Sequence, residues 1–107
     1  MEEKLIPAPI DNKNVMRDWI SDVFDCGDCT ENDGRILGFI GHSPAMASWR
    51  DNLLIWSFFD ESYIERTDAI KILKQRLIEY EVANPELVTK RSEDSHGIVQ
   101  RFYRRDE

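Results

Sequence analysis

The sequence LLIWSFF, residues 53–59, decides the fold. Every position but Ser57 is aliphatic or aromatic, and this composition is typical of a β-strand. Apolar and polar residues do not alternate in it, so the pattern does not predict a solvent-exposed face. The segment therefore predicts a central strand that is buried on both faces, or nearly so.

A second strand is predicted immediately upstream, in residues 35–42 (RILGFIGH). Ser43-Pro44 is expected to end it, because proline removes a backbone donor. Residues 45–49 are then expected to form at most one turn of helix. Together with residues 53–59, this strand predicts an antiparallel hairpin with a wide connection.

Two amphipathic helices are predicted around these strands. In residues 12–25 apolar side chains recur at helical spacing after the N-cap candidate Asp11. The second helix is expected to start at a capping box formed by Ser62 and Glu65 and to end before Pro85.

The C-terminal part, residues 86–105, predicts a hairpin of two apolar runs around the polar turn 92–97. Residues 1–10 contain two prolines and predict an extended arm. The expected fold is one α+β domain over residues 1–107, in the order α-β-β-α-β-β. Both helices would pack on one face of a small, four-stranded antiparallel sheet.

The charge is unevenly distributed along the chain. The 107 residues carry a net charge of −7, and residues 1–60 hold eleven acidic residues against five Lys and Arg. Such a balance repels nucleic acids and membranes and favours basic partners. There is no apolar run of about 18 residues for a membrane span and no apolar signal-peptide region. We therefore expect a cytoplasmic protein without a membrane partner.

The acidic residues concentrate between positions 18 and 33, on the end of the first helix and in the following loop. They are Asp18, Asp22, Asp25, Asp28, Glu31 and Asp33. We expect this face to bind a basic protein, such as a nuclease, a toxin or a nucleic-acid-binding protein, with Trp49 as a candidate apolar anchor beside it. The alternative for Trp49 is that it folds under into the core. Immunity proteins and phage inhibitors share this small size and acidic charge, although no motif places the chain in a family. The simpler alternative is that the charge only keeps the protein soluble.

A zinc site is an alternative use of the same region. Cys26 and Cys29 are followed after twelve residues by His42, which is the spacing of three ligands in a Cys2His2 site. The fourth ligand is missing locally and would have to be His96 or Asp28. Because carboxylates surround the thiols and raise their pKa, redox chemistry is disfavoured. The primary expectation is that the protein has no metal and no cofactor.

The C-terminal strand offers a third possibility, a nucleic-acid interface. Arg101, Arg104 and Arg105 are interleaved with Phe102 and Tyr103, as in proteins that bind single strands. Strand alternation predicts that Phe102 faces the core while Arg101 and Tyr103 face solvent. The net negative charge counts against this alternative.

No complete catalytic set is recognisable in the sequence. Ser43 and Ser48 lie near His42, but no glycine-rich nucleophile turn surrounds them. The clustered carboxylates lack an accompanying lysine and acids on the strands, which metal-dependent nucleases use. The sequence therefore predicts a protein that acts by binding and is not an enzyme.

Overall fold

The computed structural model describes residues 4–10, 15–24, 30–31, 34–83, 85 and 88–105, with the backbone alone for 15–17 and 30–31. Its elements follow one another as β1 (Leu5–Pro7), α1 (Val15–Val23), β2 (Thr30–Glu31), β3 (Arg35–Ile40), β4 (Ser43–Arg50), β5 (Leu53–Phe58), α2 (Tyr63–Ala83), β6 (Val88–Glu93) and β7 (Gly97–Arg105).

The seven strands within the described residues form one antiparallel sheet. Its order is β1-β7-β5-β4-β3-β2, and β6 pairs with β7. The first half of β7 pairs with β5, and its end pairs with β1. Strands β1 and β5 therefore share one edge of β7, while β6 takes the opposite edge. As predicted, β5 is central, because it lies between β4 and β7.

The mixed α+β class, the antiparallel sheet and the two helices are confirmed, but the order α-β-β-α-β-β is wrong. The chain enters the sheet with β1, inside the predicted extended arm, and a short β2 precedes β3. The predicted break at residues 43–49 is in fact strand β4, which pairs with both β3 and β5. The two predicted strands are therefore not direct neighbours. Alanine and proline have low strand propensity, which explains why β4 is not evident from local composition.

Alternate residues of the central strands point towards the helices and form the core. Trp19 of α1 packs edge-on against Phe102, with ring centroids 5.9 Å apart. Phe24, just after α1, contacts Trp56 at 5.5 Å. Helix α2 contacts β3 and β4, where the inward side chains Ala45 and Ala47 are small and leave room for it. Neither described helix is long and apolar enough to cross a lipid bilayer.

One half of the predicted capping box fixes the start of α2, and Asp60 takes the place of Glu65 in the other half. The hydroxyl of Ser62 accepts a hydrogen bond from the backbone N–H of Glu65 at 3.3 Å, which satisfies one of the free donors of the first turn. The Asp60 carboxylate accepts bonds from the Ser62 N–H and from the Ser43 hydroxyl. Arg66 donates to backbone carbonyls of Asp60 and Ser95. These bonds connect the start of α2 to β4, to the end of β5 and to the β6–β7 turn.

Gly97 should tolerate no side chain. A Cβ atom at this position would lie 1.8 Å from the backbone oxygen of Trp56, and a paired backbone cannot move away. We expect Gly97→Ala to lower the free energy of unfolding by about 3 kcal/mol, measured by urea denaturation. Ser92→Ala, at an exposed position of β6, is the control and should leave the unfolding midpoint unchanged. Equal midpoints for Gly97→Ala and the wild type would contradict the close packing of β5 and β7.

Candidate functional site

Two of the six predicted acidic residues are placed by the structure. Asp18 and Asp22 are exposed on α1, one helical turn apart. Asp25, Asp28 and Asp33 lie outside the described residues, and only the backbone of Glu31, in β2, is described. The wider acidic face therefore remains a prediction.

Trp49 is not the exposed anchor that the sequence suggested. It lies in β4, on the same side of the strand as Ala45 and Ala47, and only 7% of its surface is exposed. Its backbone N–H donates to the carbonyl of Gly34 at 2.9 Å. The prediction was wrong because it took this segment for a loop, whereas strand alternation turns the indole ring into the core.

The zinc alternative gains no support from the described residues. Cys26 and Cys29 lie outside them. His42 and His96 are exposed in the turns that precede β4 and β7, and the whole of β5 separates those two strands. Within the described part of the chain, no group of three or more His, Cys, Asp and Glu side chains is arranged to hold a metal ion.

The most distinctive surface is the side of the sheet that faces away from the core, which we call the open face. The ring contact of Trp19 with Phe102 and the hydrogen bond of Gln100 with Glu81 place α1 and α2 on the inner side. Leu54, Trp56 and Phe58 of β5 are buried there, whereas Ile55 between them is 37% exposed on the open face. The prediction that residues 53–59 are buried on both faces is thus wrong for one face.

Large apolar side chains gather at one end of the open face. Leu37 is 49% exposed and lies opposite Met46, and Phe39 is 51% exposed and lies opposite Pro44. Phe59 is 52% exposed, and its N–H donates to the carbonyl of Pro44. We call these five residues the apolar end. They form a continuous patch because each lies beside another in the register of β3, β4 and the end of β5.

Cations occupy the other end of the open face. One register line runs across four strands through Arg50, Leu53, Arg101 and Lys90, and we call it the cationic row. The three cations of this row are exposed. None of the described open-face positions carries a carboxylate, although the chain as a whole has a net charge of −7. Among the described strand positions of the open face, the charged side chains are therefore all positive.

The basic C-terminal strand is divided between the two faces. As predicted, Phe102 is buried and Arg101 is exposed, while Tyr103 is partly exposed. The ammonium group of Lys90 lies 5.4 Å from the centre of the Tyr103 ring. Arg104 falls on the opposite side of β7 from Arg101, so the three predicted arginines do not form one surface.

A buried polar network on the inner side holds the sheet against α2. The indole N–H of Trp56 donates to the Gln100 amide oxygen at 2.6 Å, and the Gln100 amide donates to the Glu81 carboxylate at 3.4 Å. Arg91 pairs with the same carboxylate at 3.0 Å. Burial raises the pKa of Glu81, and the neighbouring Arg91 and the Gln100 bond partly offset this rise. The network fixes the positions of β5, β6 and β7 and therefore the shape of the open face.

Comparisons with known proteins give no further guide to this surface. No protein-family model matches the sequence, and neither curated proteins nor solved structures give a significant match. Function is therefore inferred from the chemistry of the chain itself.

Replacing Glu81 by Gln should change the dependence of stability on pH. Because the pKa of Glu81 is raised in the folded state, folded chains bind this proton more tightly than unfolded chains do. The stabilisation is fully present below the unfolded pKa and is lost as the pH rises through the folded pKa. Urea denaturation across this window should show the wild type losing stability relative to Glu81→Gln.

The matched control for this measurement is Arg91→Gln. Removing the cation that lowers the pKa of Glu81 should shift the loss of stability to higher pH. If the wild type and Glu81→Gln gave parallel curves at all pH values, Glu81 would not titrate differently in the two states.

Proposed function

We propose that this protein acts by binding another protein, as an inhibitor or regulator, and that the open face is its interface. The observation that carries the proposal is the group of exposed apolar side chains on the open face, which includes Leu37 and Phe39 of the apolar end and Ile55 near it. An antiparallel sheet that faces water normally presents polar residues there. On monomeric proteins, a large contiguous patch of exposed apolar side chains marks a site that binds another molecule.

The energetics of burial support a protein ligand. Covering three large apolar side chains contributes about 5 kcal/mol, before the loss of freedom on association is subtracted. Those side chains project from paired strands and not from loops, so little backbone ordering is needed on binding. A partner that places apolar groups on this surface would therefore bind without remodelling the domain.

The polar groups of the open face also favour binding over catalysis. The described strand positions of the open face carry arginine, lysine, serine and one tyrosine as their polar residues, and none of them is a carboxylate or an imidazole. General acid–base catalysis most often uses a histidine or a carboxylate at the reacting group. Cations beside an apolar patch are instead suited to contacts with acidic groups.

Selection from a random peptide display library tests the proposal. Peptides enriched on the wild-type protein should bind Phe39→Ser at least about tenfold more weakly, because one exposed anchor is lost without a change in the core. Affinities should be measured by fluorescence anisotropy on synthetic versions of the selected peptides. Val82→Ser is the matched control, since Val82 is an exposed apolar residue on α2, away from the sheet.

The outcome is decisive in either direction. Loss of binding in Phe39→Ser with retention in Val82→Ser supports the open face. If every selected peptide bound the wild type and Phe39→Ser equally well, the open face would not be the interface.

The acidic surface remains a second candidate, as a site for a basic partner such as a nuclease, a toxin or a nucleic-acid-binding protein. The observation that favours it is the exposure of Asp18 and Asp22 on a helix held in place by the buried residues Trp19, Ile20 and Val23. Rigid carboxylates give fast, salt-dependent association with basic proteins.

The same library distinguishes the acidic surface from the open face. Lys- and Arg-rich peptides that bind through α1 should lose affinity in Asp22→Lys, keep it in Phe39→Ser, and weaken at high salt. Salt-independent binding that survives Asp22→Lys would rule out this surface.

A further inference from the structure

The open face has a direction, because its apolar end and its cationic row lie at opposite ends of the two strands that they share, β4 and β5. Along β4, Pro44 lies at the apolar end and Arg50 lies in the cationic row. These two residues are six positions apart, which corresponds to about 20 Å in an extended strand. Ile55 and Val99 are neighbours in the register between the two ends and continue the apolar surface towards the row.

The cationic row is wide enough to contact more than one acidic group. It crosses from β4 through β5 and β7 to β6, which is three interstrand spacings, or about 14 Å. Two of its members, Arg50 and Arg101, carry guanidinium groups that can bind a carboxylate through two parallel hydrogen bonds. Leu53 separates them in the register, so an occupant meets cation, apolar residue and cation in turn.

From this arrangement we infer that the partner contributes an acidic polypeptide segment with its apolar side chains at one end and its carboxylates at the other. The apolar residues contact Leu37, Phe39 and Met46, and the carboxylates lie over the cationic row. The inference rests on the proposed function and specifies its partner. A segment that covers about 20 Å needs roughly six residues if extended, or about thirteen if helical.

Nucleic acid fits the apolar end less well than a polypeptide does. Phe39 and Phe59 offer two rings on which bases could stack. The other three members of the apolar end, Leu37, Pro44 and Met46, are saturated, so most of this surface matches apolar side chains better than bases. The Tyr103 ring, farther along the face, already has the Lys90 ammonium group near it. The net charge of −7 also opposes a long polyanion, whereas a short acidic segment brings few charges.

A second copy of the chain is also a poor occupant. If two open faces stacked in register, the cationic rows would face each other, and like charges opposed across an interface are unfavourable. In the reversed orientation, each row would meet the apolar end of the other copy, and its charges would lose water without gaining partners.

Three synthetic peptides of about 16 residues test the inference. The first has Leu and Phe in one half and Glu in the other, the second has the same composition with Glu interspersed, and the third has Lys in place of Glu. The first should bind at least about tenfold more tightly than the other two. Its affinity should fall about tenfold in Arg101→Glu and fall at high salt.

Arg104→Glu is the matched control, because Arg104 is exposed on the same strand but on the other side of the sheet. It should leave the affinity of the first peptide unchanged, and circular dichroism should show that both variants keep the wild-type fold. An equal loss in Arg101→Glu and Arg104→Glu would show a nonspecific charge effect and would overturn the inference.

The remaining outcomes separate this inference from the proposed function. Equal binding of the blocked and interspersed peptides would overturn the end-to-end arrangement, and equal binding of the Lys peptide would overturn the acidic partner. In both cases the proposed function stands if Phe39→Ser still weakens binding, and it falls if Phe39→Ser has no effect. If a 12-nucleotide oligo-dT bound more tightly than the first peptide and lost affinity in Arg101→Glu, the partner would be a nucleic acid and not a polypeptide.

Discussion

The buried hydrogen bond from Trp56 to Gln100 is the contact on which the rest of the structure depends. Trp56 lies in the central strand, where its ring contacts Phe24 beside α1. Gln100 lies in the next strand and extends the connection to Glu81 of α2. The Trp56–Gln100 pair thus connects the sheet to Phe24 at the end of α1 and to Glu81 of α2. If the buried Gln100 amide or the Trp56 indole had no hydrogen-bond partner, each would lower the stability of the fold by about 1–3 kcal/mol. An alignment of β5 and β7 that separated the two groups would therefore be unfavourable, so their pairing helps to specify the register.

Strand alternation carries that alignment to the opposite side of the sheet. Once Gln100 faces inwards, Val99 and Arg101 must face outwards, and the register with β5 and β6 sets their neighbours. The same rule separates the inward Ala45 and Ala47 from the outward Met46. The open face is therefore not an independent feature, because its pattern of apolar and cationic residues follows from the packing of the core.

The local features of this fold were predictable from the sequence, and the features that depend on distant contacts were not. The Ser62 cap, the long helix α2, the central strand β5 and the C-terminal hairpin each have a strong signal within a few residues. Strand β4 has weak propensity, and it is stabilised by the two strands on either side of it. Because β4 was taken for a loop, Trp49 was expected to be exposed, whereas its position in the strand directs its side chain into the core.

The candidate site was missed for a related reason. An apolar run such as residues 53–59 has the same composition whether or not a second layer covers it, so its sequence cannot reveal an open face. The relevant signal lies in β3, where Arg35, Leu37 and Phe39 share one side of the strand. Recognising it requires the register with β4, which is not encoded locally. For the acidic stretch, the exposure of Asp18 and Asp22 follows from the amphipathic pattern of α1 alone.

Strands β1 and β5 pair with the same edge of β7, and this arrangement affects the order in which the strand pairings form. The β3–β4–β5 meander and the β6–β7 hairpin join strands that are adjacent in the chain, so only short loops must close. By contrast, β1 pairs with the far end of β7, and Leu5 lies opposite Arg105. Non-local pairings of this kind slow folding, because the entropy of closing a long loop is lost before any contact is gained. The meander and the hairpin are therefore expected to form first, and the docking of β1 is expected to be the last step in completing the sheet.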